Sequence, residues 1–322
     1  MAPGEAGHSP LVFLYDDLFL EHESPGHPES PERLRAITAC LRSDPLLAAC
    51  HWETAPPASE EEILLVHSRG LVQQISRFSA EGGGWIDVDT HCGRDSFRVA
   101  LLAAGAALRA VEIATASPRT PAFALIRPPG HHATPDQAMG FCLFNNVALA
   151  VRHAQRRLAL ERVAVVDLDV HHGNGTQDTF YEDGEVLYCS LHQWPLYPGA
   201  GSAAERGRGS GLGANLNLPL SPGTRPDRWL GALESSVLPA LRRHRPQLIL
   251  VSAGFDALAG DPLAQLNLTP EGYGAAAVML RDTAAELGCG PTVWFLEGGY
   301  DLLAMPEAVR RCALALASST DS

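Results

Sequence analysis

The chain is short of features that would set it apart from ordinary globular proteins. Its seven cysteines, Cys40, Cys50, Cys92, Cys142, Cys189, Cys289 and Cys312, include no Cys-x-x-Cys pair. Odd in number and scattered, they support neither a thiolate zinc site nor a disulfide framework. A reducing, cytoplasmic setting is the expectation. No apolar run approaches the ~20 residues needed to span a bilayer. The stretch Met1–His8 has no basic segment followed by an apolar one, so no signal peptide is predicted. Basic residues are scarce: 24 Lys and Arg stand against 37 Asp and Glu, a formal net charge of −13. That excludes nucleic-acid binding through a basic surface. No membrane partner is expected either, and the oligomeric state is left open.

The rest of the composition is unexceptional. Hydrophobic residues make up 46% and charged residues 19% of 322, a globular balance that suits one large α/β domain or two small ones. No internal repeat or long linker divides the chain. A single domain over 1–322 is predicted, with flexible ends at 1–9 and 318–322.

Apolar strand-like runs recur at Leu11–Tyr15, Ala122–Arg127, Val163–Val170, Val186–Leu191, Leu248–Ala253 and Thr292–Leu296. Helical patterns alternate with them over Phe97–Ala114, Asn145–Leu160, Asp227–His244, Pro270–Leu287 and Pro306–Ala317. Ser30-Pro31-Glu32 opens another helix with a cap residue and a first-turn proline, and Ser59 to Glu62 reads as a capping box. This alternation predicts a parallel sheet with helices on both faces. The Gly- and Ser-rich segment Gly199–Gly213 reads as a long surface loop, either a site rim or merely flexible.

Several strand-like runs end in residues that a stable strand does not need. The run from Val163 leads to Asp167-Leu-Asp169-Val-His171-His172-Gly-Asn174-Gly175. Buried charges are costly unless paired or bound to metal. Asp169 and His171 are two apart, which in an extended segment points both side chains the same way. A carboxylate oxygen with an imidazole nitrogen suits Zn²⁺ or a similar divalent ion. The plainer reading pairs these groups with arginines or makes them helix caps. Asp256, after an apolar run and a glycine, is the candidate third ligand, or else a cap.

His131 and His132 follow Pro128-Pro129-Gly130. Two neighbouring imidazoles can act as general base and electrostatic partner for a water activated by a metal. Each needs an acceptor on its other ring nitrogen, and Asp167 and Asn174 are available. Tyr300, after Glu297-Gly-Gly, can donate a hydrogen bond to a developing oxyanion, although packing is the usual role of a tyrosine. Glu297 and Ser190 show no role by themselves. In open parallel sheets ligands bind beyond the carboxyl ends of strands, and several such ends here carry reactive groups.

Together these segments resemble the histone deacetylase family, and in particular its class II and bacterial amidohydrolase-like branch. The matching text is Arg127-Pro-Pro-Gly-His-His-Ala133, Gly140-Phe-Cys-Leu-Phe-Asn-Asn146, Asp167 to Thr176, Ser252-Ala-Gly-Phe-Asp256, Gly260-Asp-Pro262 and Leu296-Glu-Gly-Gly-Tyr300. His27-Pro-Glu29 with Arg33 fits the family's N-terminal motif, and the match runs from about residue 11 to about residue 312.

The resemblance implies an arginase/deacetylase α/β fold, with a central, mostly parallel sheet of about eight strands. It implies Zn²⁺ on Asp169, His171 and Asp256. His132 would be the principal general base and acid, His131 with Asp167 its electrostatic partner, and Tyr300 the polariser of the scissile carbonyl. Asn174 stands where other branches place an aspartate. Gly140, Phe141, Tyr197 and Leu263 fall at substrate-contacting positions, with Phe141 and Tyr197 as aromatic walls of an acyl-lysine tunnel. Arg33 matches the arginine of an internal acetate-exit channel. A K⁺ ion would be held by Asp167, Ser190 and the carbonyls of Asp169, His171 and Leu191. A second ion would lie near Phe180 and Val186.

The activity so implied is zinc-dependent deacetylation of an acylated lysine or similar acylated amine, with release of acetate. Acetylpolyamine or small-amine hydrolysis is the rival in the same chemistry. Polyamine-selective relatives place a glutamate where this chain has Leu263. A weakly catalytic acyl-lysine binder is a second rival, opposed by the intact Tyr300, His131 and His132. An arginase-like two-metal enzyme is a third, opposed by Ala257-Leu258 after Asp256.

Overall fold

The computed structural model describes residues 11–318. Ten strands occur in it: β1 (Val12–Leu14), β2 (His51–Glu53), β3 (Gly83–Trp85), β4 (His91–Gly93), β5 (Ala122–Ala124), β6 (Val163–Asp167), β7 (Val186–Gln193), β8 (Asn215–Leu220), β9 (Leu248–Ala253) and β10 (Val293–Leu296). Eight of them form one sheet in the order β2-β1-β5-β10-β9-β6-β7-β8. Every pairing in it is parallel. Thus the sheet is wholly parallel, more uniform than expected. β3 and β4 make a separate antiparallel hairpin.

The central strands β5, β6, β7, β9 and β10 are buried along their whole length. That explains their unbroken apolar runs, since both faces of a covered parallel sheet must be apolar. The ten helices are α1 (Pro31–Ser43), α2 (Glu60–Ile63), α3 (Arg69–Ala80), α4 (Ser96–Ala116), α5 (Asn146–Arg157), α6 (Asn174–Phe180), α7 (Pro226–Ala232), α8 (Leu238–His244), α9 (Pro270–Leu287) and α10 (Ala304–Ala317). One group packs α4 against α5, and another packs α10 against α9 and α1. The capping box at Ser59 and Glu62 is present in both directions.

Some expectations need correction. Asp227–His244 is not one continuous helix: a π-turn over Leu233–Val237 separates α7 from α8. Pro239 lies directly behind it, lacks an N–H, and crowds the preceding turn. The strand expected over Val163–Val170 stops at Asp167. There the Asp167 carboxylate accepts the Asp169 N–H at 3.2 Å and turns the chain out of the ladder. β2, β3, β4, β8, α3 and α6 were not expected. α4 is long and apolar enough by length and composition to cross a membrane, contrary to the reading of the apolar runs. It is nevertheless mostly buried within the fold. The flexible ends expected at 1–9 and 318–322 lie outside the described residues except for Ser318, which caps α10.

Candidate active site

Because all eight strands of the main sheet run the same way, their carboxyl ends share one edge. β5 leads to His131 and His132, β6 to Asp169 and His171, β9 to Asp256, and β10 to Tyr300. Asp169, His171 and Asp256 each offer a ligand atom, and these atoms lie within 4.8 Å of one another. His171 Nδ1 sits 3.1 Å from Asp169 Oδ1 and 3.2 Å from Asp256 Oδ2. The convergence does not come from extended backbone. Asp169 Oδ1 accepts the His171 N–H at 2.9 Å, so a side-chain-closed turn brings the two together. Asp256 caps no helix; its Oδ1 accepts the Val170 N–H at 2.8 Å, and its Oδ2 faces His171.

Two glycines make room for this cluster. A Cβ on Gly254 would lie 2.1 Å from Asp169 Oδ2, and one on Gly298 2.2 Å from Asp256 Oδ2. No arginine pairs with these carboxylates among the described residues, and both are buried. Burial and the Asp169 charge lift the Asp256 carboxyl to about 7. Burial disfavours a charged His171, but the two carboxylates outweigh it and lift the imidazole to about 10. Two buried carboxylates around one imidazole offer oxygen and nitrogen donors to a common point, and a divalent cation fits that donor set.

The two histidines are oriented by acceptors. His131 Nδ1 lies 3.1 Å from Asp167 Oδ2, and His132 Nδ1 lies 2.8 Å from Asn174 Oδ1. Asn174 Nδ2 donates to the His132 carbonyl at 3.4 Å, which assigns its other atom as the acceptor oxygen. Both rings therefore carry a proton on Nδ1. Burial disfavours a charged His131, but Asp169 and Asp167 outweigh it and lift it to about 10, with its Nε2 3.8 Å from Asp169 Oδ1. Burial and the neighbouring His131 and His171 hold His132 well below the ordinary histidine value, so it is neutral. Tyr188, not picked out from the sequence, donates its hydroxyl to Asp167 Oδ2 at 3.0 Å.

Tyr300 is buried, its ring 5.8 Å from that of Phe141 and 4.9 Å below the Arg33 guanidinium. Its N–H donates to Asp261 Oδ2 at 2.8 Å, and the other oxygen of Asp261 accepts the N–H of half-buried Leu263. One short turn therefore serves both positions. Phe141 adopts φ 69° and Gly140 φ 56°. A Cβ on Gly140 would lie 2.4 Å from His132 Cδ2, so the glycine lets the backbone pass under the imidazole. The Tyr197 ring is 5.1 Å from that of His132 and is 44% exposed, at the mouth of the site.

Arg33 is fully buried and donates to the carbonyls of Gly299 and Glu297 and to Glu29 Oε1. Arg127 binds the same Glu29 through Nε and Nη2. Only its place in a motif had marked Arg127. Ser190 is buried, in register with Asp167, and its hydroxyl lies 2.9 Å from His192 Nδ1. His172 points away, with Nε2 3.1 Å from Gln177 Oε1. The segment Gly199–Gly213 is tied down: Glu205 accepts the N–H groups of Gly201 and Ser202 and the Gln177 amide.

Such a sheet and edge define an α/β protein of the arginase/deacetylase architecture. The histone deacetylase domain model matches residues 27–316, and the chain belongs to the histone deacetylase family. It is 45% identical to the histone deacetylase-like amidohydrolase of Pseudomonas aeruginosa over 282 residues, covering 87% of this chain and 74% of that one. It is 41% identical to a probable deacetylase of Methanothermobacter thermautotrophicus over 314 residues, covering 97% and 91%. The crystal structure of the HDA15 HD domain superposes with a TM-score of 0.91 at 36% identity, covering 98% of this chain and 90% of that one. Family membership supports hydrolase activity of the deacetylase and amidohydrolase kind.

Proposed function

We propose that the protein is a zinc-dependent deacetylase that hydrolyses the amide of an acyl-lysine or a similar acylated amine. The observation that carries this reading is the buried Asp169–His171–Asp256 cradle beside two histidines, each fixed through Nδ1 by its own acceptor. Zinc in that cradle would supply Lewis acidity toward the acyl carbonyl and toward water. His132 Nε2 takes the proton of the attacking water and returns it to the departing nitrogen. His131, fixed by Asp167, adds its charge beside the reacting atoms. The Tyr300 phenol donates to the carbonyl oxygen as negative charge grows there. Phe141 and Tyr197 hold the acyl-amine stem, and Arg33 faces the departing acetate. K⁺ would sit by Asp167, Ser190 and the carbonyls of Asp169, His171 and Leu191. A single domain working in a reducing, cytoplasmic compartment agrees with seven free cysteines, five of them buried. Leu263 offers no carboxylate to a distant ammonium, which favours acyl-lysine over acylpolyamine.

A rate comparison tests this. Zinc-loaded protein should release acetate from an acetyl-lysine peptide faster than from acetylspermidine. Chelation should stop the reaction, and Asp256→Ala should lower bound zinc per chain. Undiminished zinc in that variant would overturn the three-ligand site, and no release of any acyl group would overturn the activity.

A further inference from the structure

Glu297 is a buried carboxylate that neither the cradle nor the histidine dyad uses. It is 0% exposed and follows directly on β10, between the ends of β5 and β9. Its Oε2 accepts the N–H of Gly130 at 2.7 Å and of His131 at 3.2 Å. Its Oε1 accepts the Ser252 hydroxyl at 3.3 Å. Its own N–H donates to the Ala253 carbonyl at 3.0 Å, and its carbonyl accepts from Arg33. Among the described residues it makes no ion pair. Burying an unpaired carboxylate is expensive, and an apolar side chain would fill the same space at lower cost. A purely packing role therefore does not account for a glutamate here.

Its bonds converge on the backbone that sets the histidines. Asp167 and Asn174 orient the two rings, and Asn174 also holds the His132 carbonyl, but neither accepts the Gly130 and His131 N–H groups that open the turn. That turn has no slack elsewhere: a Cβ on Gly130 would meet the Asn146 N–H nitrogen at 2.5 Å and the Phe144 carbonyl oxygen at 2.9 Å. Three residues further on, the strand end that carries Glu297 delivers Tyr300. We propose that Glu297 is a positioning residue, holding the His131–His132 turn in register with Tyr300 so that base and oxyanion donor face one carbonyl. This rests on the deacetylase reading above. Errors of about 1 Å in such placement can cost on the order of 10²-fold in rate.

The experiment compares Glu297→Ala, Glu297→Asp and Glu297→Gln with wild type as full-length zinc-loaded protein, with kcat expressed per bound zinc. Glu297→Ala should lose roughly 10²-fold in kcat with KM changed by less than about threefold. Added formate should restore part of that loss in this variant and do nothing for wild type. Glu297→Gln keeps an acceptor oxygen at the same reach and should stay within about tenfold of wild type; Glu297→Asp keeps the charge, loses reach, and should fall further. The downfield proton resonance of the His131–Asp167 hydrogen bond should persist in wild type and Glu297→Gln and vanish in Glu297→Ala. A Glu297→Ala protein with wild-type kcat per zinc, or one that keeps that resonance, overturns the assignment. If Glu297→Ala does not fold, equal or reversed effects of Asp and Gln overturn it. Failure of wild type to release acetate defeats the deacetylase reading instead, and the resonance still decides the role of Glu297.

Discussion

At the residue scale, Tyr300→Phe tests the proposed division between catalysis and binding. Its hydroxyl is the one hydrogen-bond donor that Tyr300→Phe removes while the ring against Phe141 and Arg33 remains. Steady-state kinetics on an acetyl-lysine peptide should show kcat lowered by on the order of 10²- to 10³-fold, with KM little moved. A drop confined to KM would mean that the phenol only packs. Gly140 makes a different demand. Gly140→Ala puts a methyl carbon 2.4 Å from His132 Cδ2 at a backbone φ of 56°. The imidazole must shift, and kcat should fall by on the order of 10²-fold while zinc content holds. At this scale the sequence was largely legible, because Asp169, His171, Asp256, His131 and His132 all reach one site. Tyr188 was not read, and Asp261 and Arg127 only as members of motifs without a role: a tyrosine within an apolar strand, an aspartate in a turn and an arginine at a strand end have common structural uses, and only their partners show what these do.

At the scale of elements, the decisive piece is the segment between β7 and β8. Its Gly and Ser content suggested a long surface loop, either a site rim or merely flexible. In the fold, the Gly201 carbonyl lies 2.9 Å from His192 Nε2, the Ser202 carbonyl accepts from Asn217, and the Glu205 carbonyl accepts from Asn215. The Glu205 carboxylate completes the tether through Gln177 of α6. The same helix carries Asn174, so α6 steadies both His132 and the loop that bears Tyr197. Glu205→Ala should loosen that loop: KM should rise severalfold with kcat largely kept. Hydrogen exchange at Gly201 and Ser202 should quicken; unchanged exchange would show that the carboxylate is not what holds them. The tether to α6 could not be read locally, because Gln177 stands 28 residues from Glu205 in the chain.

At the scale of the whole molecule, buried charge should make stability pH-dependent. Burial and the Arg127 charge lower His22 from 6.5 to about 3. Burial would raise Glu29, but Arg127, His22 and Arg33 outweigh it and lower it from 4.5 to about 2. In both cases the unfolded chain binds more protons than the folded one between the two values. The contribution of these two groups is therefore full at neutral pH. It should decline as pH falls from about 6.5 toward 3 for His22, and from about 4.5 toward 2 for Glu29. The denaturant midpoint, followed from pH 7 to pH 4, should drop steadily, and Glu29→Gln should flatten the lower part. Equal slopes for wild type and Glu29→Gln below about pH 4.5 would contradict the lowered Glu29.

The amino-acid order by itself determined the class of fold, the six apolar runs that became strands, and which side chains are candidates for the chemistry. It could do so because covered parallel strands must be apolar throughout and because reactive groups collect in short motifs. Only the tertiary structure decided that these motifs share one edge, that Asp169 and His171 converge through a turn instead of a strand, and that Glu297 grips the histidine turn. Those outcomes depend on sheet order and on hydrogen bonds between distant segments, such as the 166 residues from His131 to Glu297. No local pattern encodes a contact of that length.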